Sequence, residues 1–305
     1  MRKTPFLLAV LCLFTPVFSD FVPRNSIEFT LPIYRFFYSE EFDAPPPSRN
    51  GIPMRTFGFK RSDEYGLTSG FDLAFRHFAQ NPNITFALSA AYTRAINHTY
   101  DGSAFYPSYV NFRNEEGEIR EIWQIIPPLI VEDRDNFFWQ FDAEIGYWTS
   151  NLSRRGTQIL VTPKIIFSFN RWHRPVSWPH YYMYLRALPS VSLQTKNREN
   201  FGIISDIAIS IPVWQQMIID LTDGARGGKY YFDIGGRLGF NFNLGFARYY
   251  SQNRTLKIAF FHESFGFSES PPIEFGPVEG GLVLEPSSRT RNNGVRITFQ
   301  KGFGT

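Results

Sequence analysis

Residues 136–148 read NFFWQFDAEIGYW, and their alternation restricts the chain more than any other feature. Phe137, Trp139, Phe141, Ala143, Ile145 and Tyr147 occupy one set of alternate positions. Gln140, Asp142, Glu144 and Gly146 fall in the other. A period of two belongs to a strand, whose successive side chains point to opposite faces. One face here is wholly apolar with aromatics toward both ends. The other carries two acids at its centre.

The same pattern recurs along most of the sequence. Ile27, Phe29, Leu31 and Ile33 alternate with Glu28 and Thr30, and Leu67, Phe71, Leu73 and Phe75 alternate with Asp72 and Arg76. Ile159, Val161, Ile165, Phe167 and Phe169 lie opposite Thr162, Lys164 and Ser168. Val295, Ile297 and Phe299 lie opposite Arg296, Thr298 and Gln300. Strands of soluble proteins run about 5–6 residues, whereas a strand crossing a bilayer needs ~9–11. Several of these segments reach the longer figure. Repeated long, two-faced segments are the sequence signature of a membrane β-barrel.

The chain opens MRKTPFLLAVLCLFTPVFS. Arg2 and Lys3 form a positive n-region, and Pro5 to Phe14 is an apolar run too short to span a bilayer. Small or branched residues follow at 17–19. This predicts a secretory signal peptide over 1–19. The only cysteine, Cys12, falls inside it, and Leu11 before it does not suit a lipoprotein signal. Removing Arg2 and Lys3 takes the formal charge from +3 to +1, which excludes a nucleic-acid footprint. Aromatics make up 18% of the chain, with 33 Phe. Mean hydropathy is nevertheless slightly negative, so apolar residues are dispersed among polar ones. Past residue 19 no run is long enough for a transmembrane helix.

Thirteen strands are candidates, near 26–38, 52–60, 65–77, 83–94, 105–113, 118–126, 136–149, 157–169, 181–195, 202–214, 229–249, 254–267 and 293–303. Bacterial single-chain barrels have even counts. The expectation is a closed antiparallel transmembrane barrel of about twelve strands, with ten or fourteen as alternatives. The segments 52–60 and 105–113 are the weakest. Short polar connectors at 79–83, 113–118, 150–156, 196–200 and 251–254 alternate with longer ones near 95–107, 127–135, 170–180, 215–228 and 268–292. Bacterial barrels pair short periplasmic turns with long extracellular loops in this way. Residues 20–305 read as one barrel domain.

With its leader, its alternating strands and its closing GVRITFQKGF (294–303), the chain resembles the outer-membrane β-barrel proteins of Gram-negative bacteria. The resemblance implies an outer-membrane location, contact with outer-membrane lipids, and barrel-assembly machinery as a partner during insertion. Members of that class commonly end on an aromatic residue; here Phe303 is followed by Gly304 and Thr305. No cofactor, metal or nucleic acid is expected. Small solutes are partners only if the lumen conducts.

Parity assigns acids Glu28, Asp72, Asp142, Glu144, Asp206, Asp233 and Glu263 to the inner face, with bases Arg76, Lys164, Arg186, Arg237, Lys257 and Arg296. Opposite charges in a narrow lumen should pair, because unpaired buried charge is costly. Such an interior either holds the barrel together or lines a path with little charge selectivity. Trp139 and Tyr147 are expected in the aromatic belt, with Trp123, Trp148, Trp172, Trp178, Tyr181 and Tyr182 as further interface candidates. The leading expectation is a porin-like, transport or surface-structural role without enzymatic activity.

One short motif carries a different chemistry. In FFHESFGFSES (260–270), His262 and Ser264 share a strand face, as a nucleophile and its base require. Parity places both on the lipid side. The arrangement is similar to the His-x-Ser of outer-membrane lipid hydrolases, and that resemblance implies Ser264 as nucleophile, His262 as base and Glu274 or Glu269 as the orienting acid. The Asn that commonly follows the serine is replaced by Phe265. SAAYTR (89–94) followed by GSAFYPSYV (102–110) is similar to outer-membrane phospholipase A, but no His-x-Ser occurs near 144–154. The bland reading is a polar collar where the strand leaves the bilayer. A soluble secreted β protein is the third alternative.

Overall fold

Asn25 pairs with Phe303 and Glu41 with Ser287, so the first and last strands run antiparallel along their full length. That pairing closes a barrel. The computed structural model describes residues 23–41, 59–79, 83–105, 108–113, 119–124, 129–149, 156–175, 179–222, 228–251, 253–271, 273–275, 281–283 and 285–303. The expected leader at 1–19, most of the candidate strand at 52–60, and Trp178 lie outside these residues.

The strands are β1 (Asn25–Glu41), β2 (Phe59–Phe78), β3 (Ile84–Phe105), β4 (Ser108–Arg113), β5 (Ile119–Gln124), β6 (Leu129–Arg134), β7 (Phe137–Tyr147) and β8 (Gln158–Arg174). They continue as β9 (His180–Lys196), β10 (Phe201–Asp220), β11 (Lys229–Asp233), β12 (Gly236–Ser251), β13 (Arg254–Phe267), β14 (Ile273–Phe275), β15 (Gly281–Val283) and β16 (Ser287–Phe303). Ten of them close the ring, in the order β10-β12-β13-β16-β1-β2-β3-β7-β8-β9 and back to β10. Each neighbouring pair is antiparallel. β6 adds to β3 and β11 to β10, giving twelve strands in the one sheet. The ring thus takes the lower of the even counts expected. Candidates 105–113 and 118–126 form a separate hairpin, β4–β5, outside the ring. The connector expected near 170–180 shortens to 175–179, because β8 and β9 both run further than their alternation suggested.

The start of β1, the end of β16, the ends of β2, β7, β9 and β12 and the starts of the strands that follow them lie at one end of the barrel, the periplasmic end by the convention of such folds. From that end upward the outer face is a continuous apolar belt. Ile27, Phe29, Leu31 and Ile33 on β1, Leu67, Phe71, Leu73 and Phe75 on β2, Trp139, Phe141 and Ile145 on β7, and Val295 and Phe299 on β16 are all exposed. So many large exposed apolar side chains on one band cannot be solvated by water at tolerable cost. Hydrocarbon solves this. It also demands that every backbone group be bonded internally, which ring closure provides.

The barrel strands overshoot the belt. β1 runs 17 residues, β2 20 and β3 22, against the ~9–11 needed to cross. At the upper edge of the belt the alternation inverts. On β1 the outward positions change from Ile33 to Arg35, Ser39 and Glu41, while the inward ones become Tyr34, Phe36 and Tyr38, all buried. β8 does the same, with Arg171 and His173 outside and Trp172 inside. Below the inversion the solvent is lipid and the polar face turns in. Above it the solvent is water and the apolar face turns in.

Three aromatic expectations are corrected, two of them by that inversion. Trp172 and Tyr182 are almost wholly buried inside the upper barrel, not at the lipid interface, and Trp148 is buried in a cluster at the lower end. Trp139 does face outward. Tyr181 is on the outer face, stacked at 4.5 Å on His173. Trp123 lies on β5, and its side chain is outside the described residues. The single strand expected at 229–249 is broken at Ile234 and Gly235. Gly235 receives the Ser268 amide there at 2.8 Å, and the faces do not continue across the break. Asp233 therefore lies exposed on β11 opposite Gln216, not in the lumen. Arg237 is half-buried beside a register shift in β12.

Candidate functional site

The inner face divides into two tiers at the level of the inversion. The lower tier, inside the belt, is a charge network. The Lys164 ammonium lies 3.0 Å from Glu144 and 2.8 Å from Asp206. Arg76 pairs with the same Glu144 and lies 3.7 Å from Glu28. Lys257 reaches Glu28 at 3.0 Å, and Arg186 reaches Glu263 at 2.7 Å. These pairs bridge β2 to β7, β8 to β10, β1 to β13 and β9 to β13. They tie non-adjacent strands together across the lumen, which the sheet's own hydrogen bonds cannot do.

Asp72 and Asp142 face the same space. Asp142 accepts a 2.8 Å hydrogen bond from Gln140, yet one oxygen of each acid, and Nε and Nη1 of Arg186, have no hydrogen-bond partner among the described residues. The space is a polar cavity of about 260 Å³. A second cavity of about 110 Å³ adjoins it and shares Asp72, Asp142 and Arg296 in its lining. Polar spaces of this kind suit ordered water. The floor of the larger cavity is the apolar cluster of Phe78, Trp148, Leu160, Ala247 and Tyr249.

The roof is the upper tier. On the ten-membered ring β1 and β9 sit opposite each other. Their side chains meet. The Tyr38 ring lies 6.2 Å from the Tyr182 ring, and the two hydroxyls are 3.4 Å apart. Trp172 packs between them, 4.7 Å from each ring. Phe36, Phe138, Tyr184, Phe265 and Phe267 extend the cluster. Ring pairs at such separations contribute beyond their burial. A lumen whose opposite walls touch through stacked aromatics is filled at that level.

Most charged groups on the roof face opposite charges, although Arg174 Nε, Arg134 Nη1 and His180 Nδ1 have no hydrogen-bond partner among the described residues. Glu64, fully buried, pairs with Arg174 at 2.9 Å and accepts from Asn136. His98 bridges Thr68 at 2.8 Å and Asn136 at 3.1 Å, and the Trp172 indole donates to Asn136 at 2.7 Å. Burial alone would raise the Glu64 carboxyl, but Arg174, His98, Arg134 and Asn136 hold it down to about 2. Glu285 reaches into the mouth from the segment after β15. It accepts a 2.5 Å hydrogen bond from Tyr182. Burial, reinforced by the nearby Glu40, pushes its carboxyl up to about 8. The segment is pinned where Ser270 and Glu285 exchange two hydrogen bonds, at 3.0 and 2.8 Å.

Of the residues expected in the lumen, Asp72, Arg76, Asp142, Glu144, Lys164 and Arg186 face it together, and Asp233 does not. Glu40, Glu64, His98 and Arg174 were not anticipated, and their only signal was that parity continues past the assumed strand ends. Asn136 and Tyr182 lay within assumed strands but were not assigned to the interior, and Glu285, between β15 and β16, carried no parity signal.

His262 and Ser264 face outward at the upper edge of the belt. Their hydrogen bonds lead apart. His262 Nδ1 is 2.7 Å from Asn293 Oδ1, while the Ser264 hydroxyl donates to the Phe240 carbonyl at 3.2 Å and accepts from the Phe240 amide at 3.3 Å. Among the described residues no hydrogen bond joins the two. Glu274 lies on β14, and its side chain is outside the described residues.

Ring closure, belt and short turns together define the class: an outer-membrane β-barrel of the Gram-negative type. No family model matches the chain, and no curated protein matches its sequence. Among solved structures it is similar to the outer membrane protease OmpT of Escherichia coli, with a TM-score of 0.54 and 10% identity over 94% of this chain and 99% of that one. At that identity the likeness shows a shared fold alone. Lower-scoring matches include the toluene transporter TbuX of Ralstonia pickettii (TM-score 0.33, 9% identity, 92% of this chain and 90% of that one) and Neisserial surface protein A (TM-score 0.30, 8% identity, 92% and 96%). Neither carries an argument about this chain.

Proposed function

We propose that this protein is a sealed outer-membrane barrel with a surface-structural role, presenting a rigid, water-exposed rim above the bilayer rather than conducting solutes. The observation that carries the reading is the contact of Tyr38 with Tyr182 from opposite walls, with Trp172 between them. The pairing of interior charges supports it further. A selective pore presents one sign of charge around a constriction, whereas here Lys164, Arg76, Lys257 and Arg186 are all bound to acids. Planar-bilayer recording of the refolded full-length protein tests it. Silence after confirmed insertion is expected. Steady single-channel conductance would overturn it in favour of a transport role.

A further inference from the structure

The outer face just above the belt carries a concentration of arginines on β16 and β1. Arg35, Arg289 and Arg291 are all exposed. Register places Arg291 opposite Phe37, and Arg35 opposite Asn293. Arg35 and Arg291 are therefore diagonal neighbours on adjacent strands, a spacing of roughly 7–8 Å between backbones that long side chains close easily. On the other flank Arg291 faces Ser264, and Asn293 faces His262.

Other outward arginines among the described residues near the top of the belt are already occupied. Arg94 pairs with Asp135 at 2.7 Å, Arg61 with Asp63 at 3.1 Å, and Arg171 lies over the Tyr181 ring at 5.1 Å. Arg35 and Arg291 have no acid partner among the described residues. Arg289 has only Glu41 diagonal to it, and Glu41 sits directly opposite Arg61. Two unpaired guanidinium groups side by side repel, so their juxtaposition costs free energy unless an anion lies between them.

The level of the cluster says which anion. Arg35 sits one outward position above Ile33, and Arg291 two above Val295, the last exposed apolar residues on their strands, at the end away from the start of β1 and the end of β16. That is headgroup depth in the outer leaflet. Guanidinium forks match phosphate oxygens two at a time. We propose that Arg35 and Arg291, with Arg289 above and the His262–Asn293 pair beside them, bind a phosphate of a phosphorylated glycolipid in the outer leaflet. The belt residues Ile33, Val295 and Phe260 beneath them would take its acyl chains. The site is distinct from the sealed interior, and it rests on the outer-membrane reading above.

The test is binding of fluorescent diphosphoryl lipid A to the full-length chain in detergent micelles. Heat-modifiable gel mobility first establishes a folded barrel; a wild type that folds without detergent would strike the outer-membrane reading itself, not this site. Expected is a loss of at least tenfold in affinity for Arg35→Gln/Arg291→Gln, and a similar loss when wild type is offered dephosphorylated lipid A. Arg35→Lys/Arg291→Lys, which keeps charge but not the fork, should fall between. Arg171→Gln, an outward arginine of β8 that lies over the Tyr181 ring, should bind as wild type does. Equal affinity in wild type and the double Gln variant would overturn the proposal, as would an equal loss in Arg171→Gln. Inorganic phosphate competing as well as the lipid would show a free-phosphate site instead.

Discussion

Single residues in this barrel are governed by which solvent their face meets. Glu285 shows the consequence most sharply. Its carboxyl is pushed from 4.5 to about 8 by burial next to Glu40, so the seated segment binds a proton that the released segment gives up. Stabilisation from this group is fully present below about pH 4.5 and is lost as pH rises through about 8. Amide exchange at Ser270 and Glu285, corrected for intrinsic rate, should therefore lose protection across that window in wild type and stay level in Glu285→Gln. Glu64 has the opposite sign. Its carboxyl is held at about 2, so its contribution is present above pH 4.5 and is lost only as pH falls toward 2. Ser264 is the residue on which the lipid-hydrolase alternative turns. With its hydroxyl committed to the Phe240 backbone, Ser264→Ala should leave phospholipid hydrolysis no lower than in wild type; a clear loss would restore that alternative.

At the scale of strands, the two tiers make different predictions. In the lower tier Glu144 answers both Arg76 and Lys164. Glu144→Leu leaves those cations with Glu28 and Asp206, so the loss should reach up to about 3 kcal/mol, below the fullest cost of orphaning a buried charge. In the upper tier Trp172→Ala removes the ring between β1 and β9 and should cost about 3–5 kcal/mol. Urea unfolding in lipid vesicles reads both. On β2, Gly66 approaches Asn97 and His98 so closely that an added Cβ would meet the Asn97 carbonyl and the His98 ring. Gly66→Ala should displace His98 from Thr68 and cost about 1–3 kcal/mol. The belt portions of these strands were legible from alternation alone, because lipid outside and charge inside give maximal contrast. The upper portions were not. There Phe36 and Tyr38 face inward while Phe37 lies outward among Arg35 and Ser39, and the contrast both weakens and changes sign. The sequence reading accordingly ended β8 at 169 and began β16 at 293, leaving Trp172 and Arg174, and Ser287 to Asn292, unassigned.

The whole molecule is a barrel in two solvents. Ring closure and an even strand number followed from the sequence, since a two-faced sheet in lipid has no stable edge. The number ten did not follow, because β4 and β5 carry strand-like sequence without joining the ring. Nor did the proposed seal, which depends on Tyr38 and Tyr182 meeting from strands 144 positions apart in sequence. Cysteine placement makes the central claim accessible, since Cys12 is the sole native cysteine and lies in the expected leader. Spin labels placed one at a time along β7 in refolded, bilayer-embedded protein test the claim most directly. Labels at Trp139, Phe141 and Ile145 should collide with lipid-dissolved oxygen, and labels at Gln140 and Asp142 should be shielded from both oxygen and a water-soluble nickel reagent. Nickel access at Gln140 and Asp142 would mean an open lumen, and nickel access at Phe141 would mean that β7 does not face lipid at all.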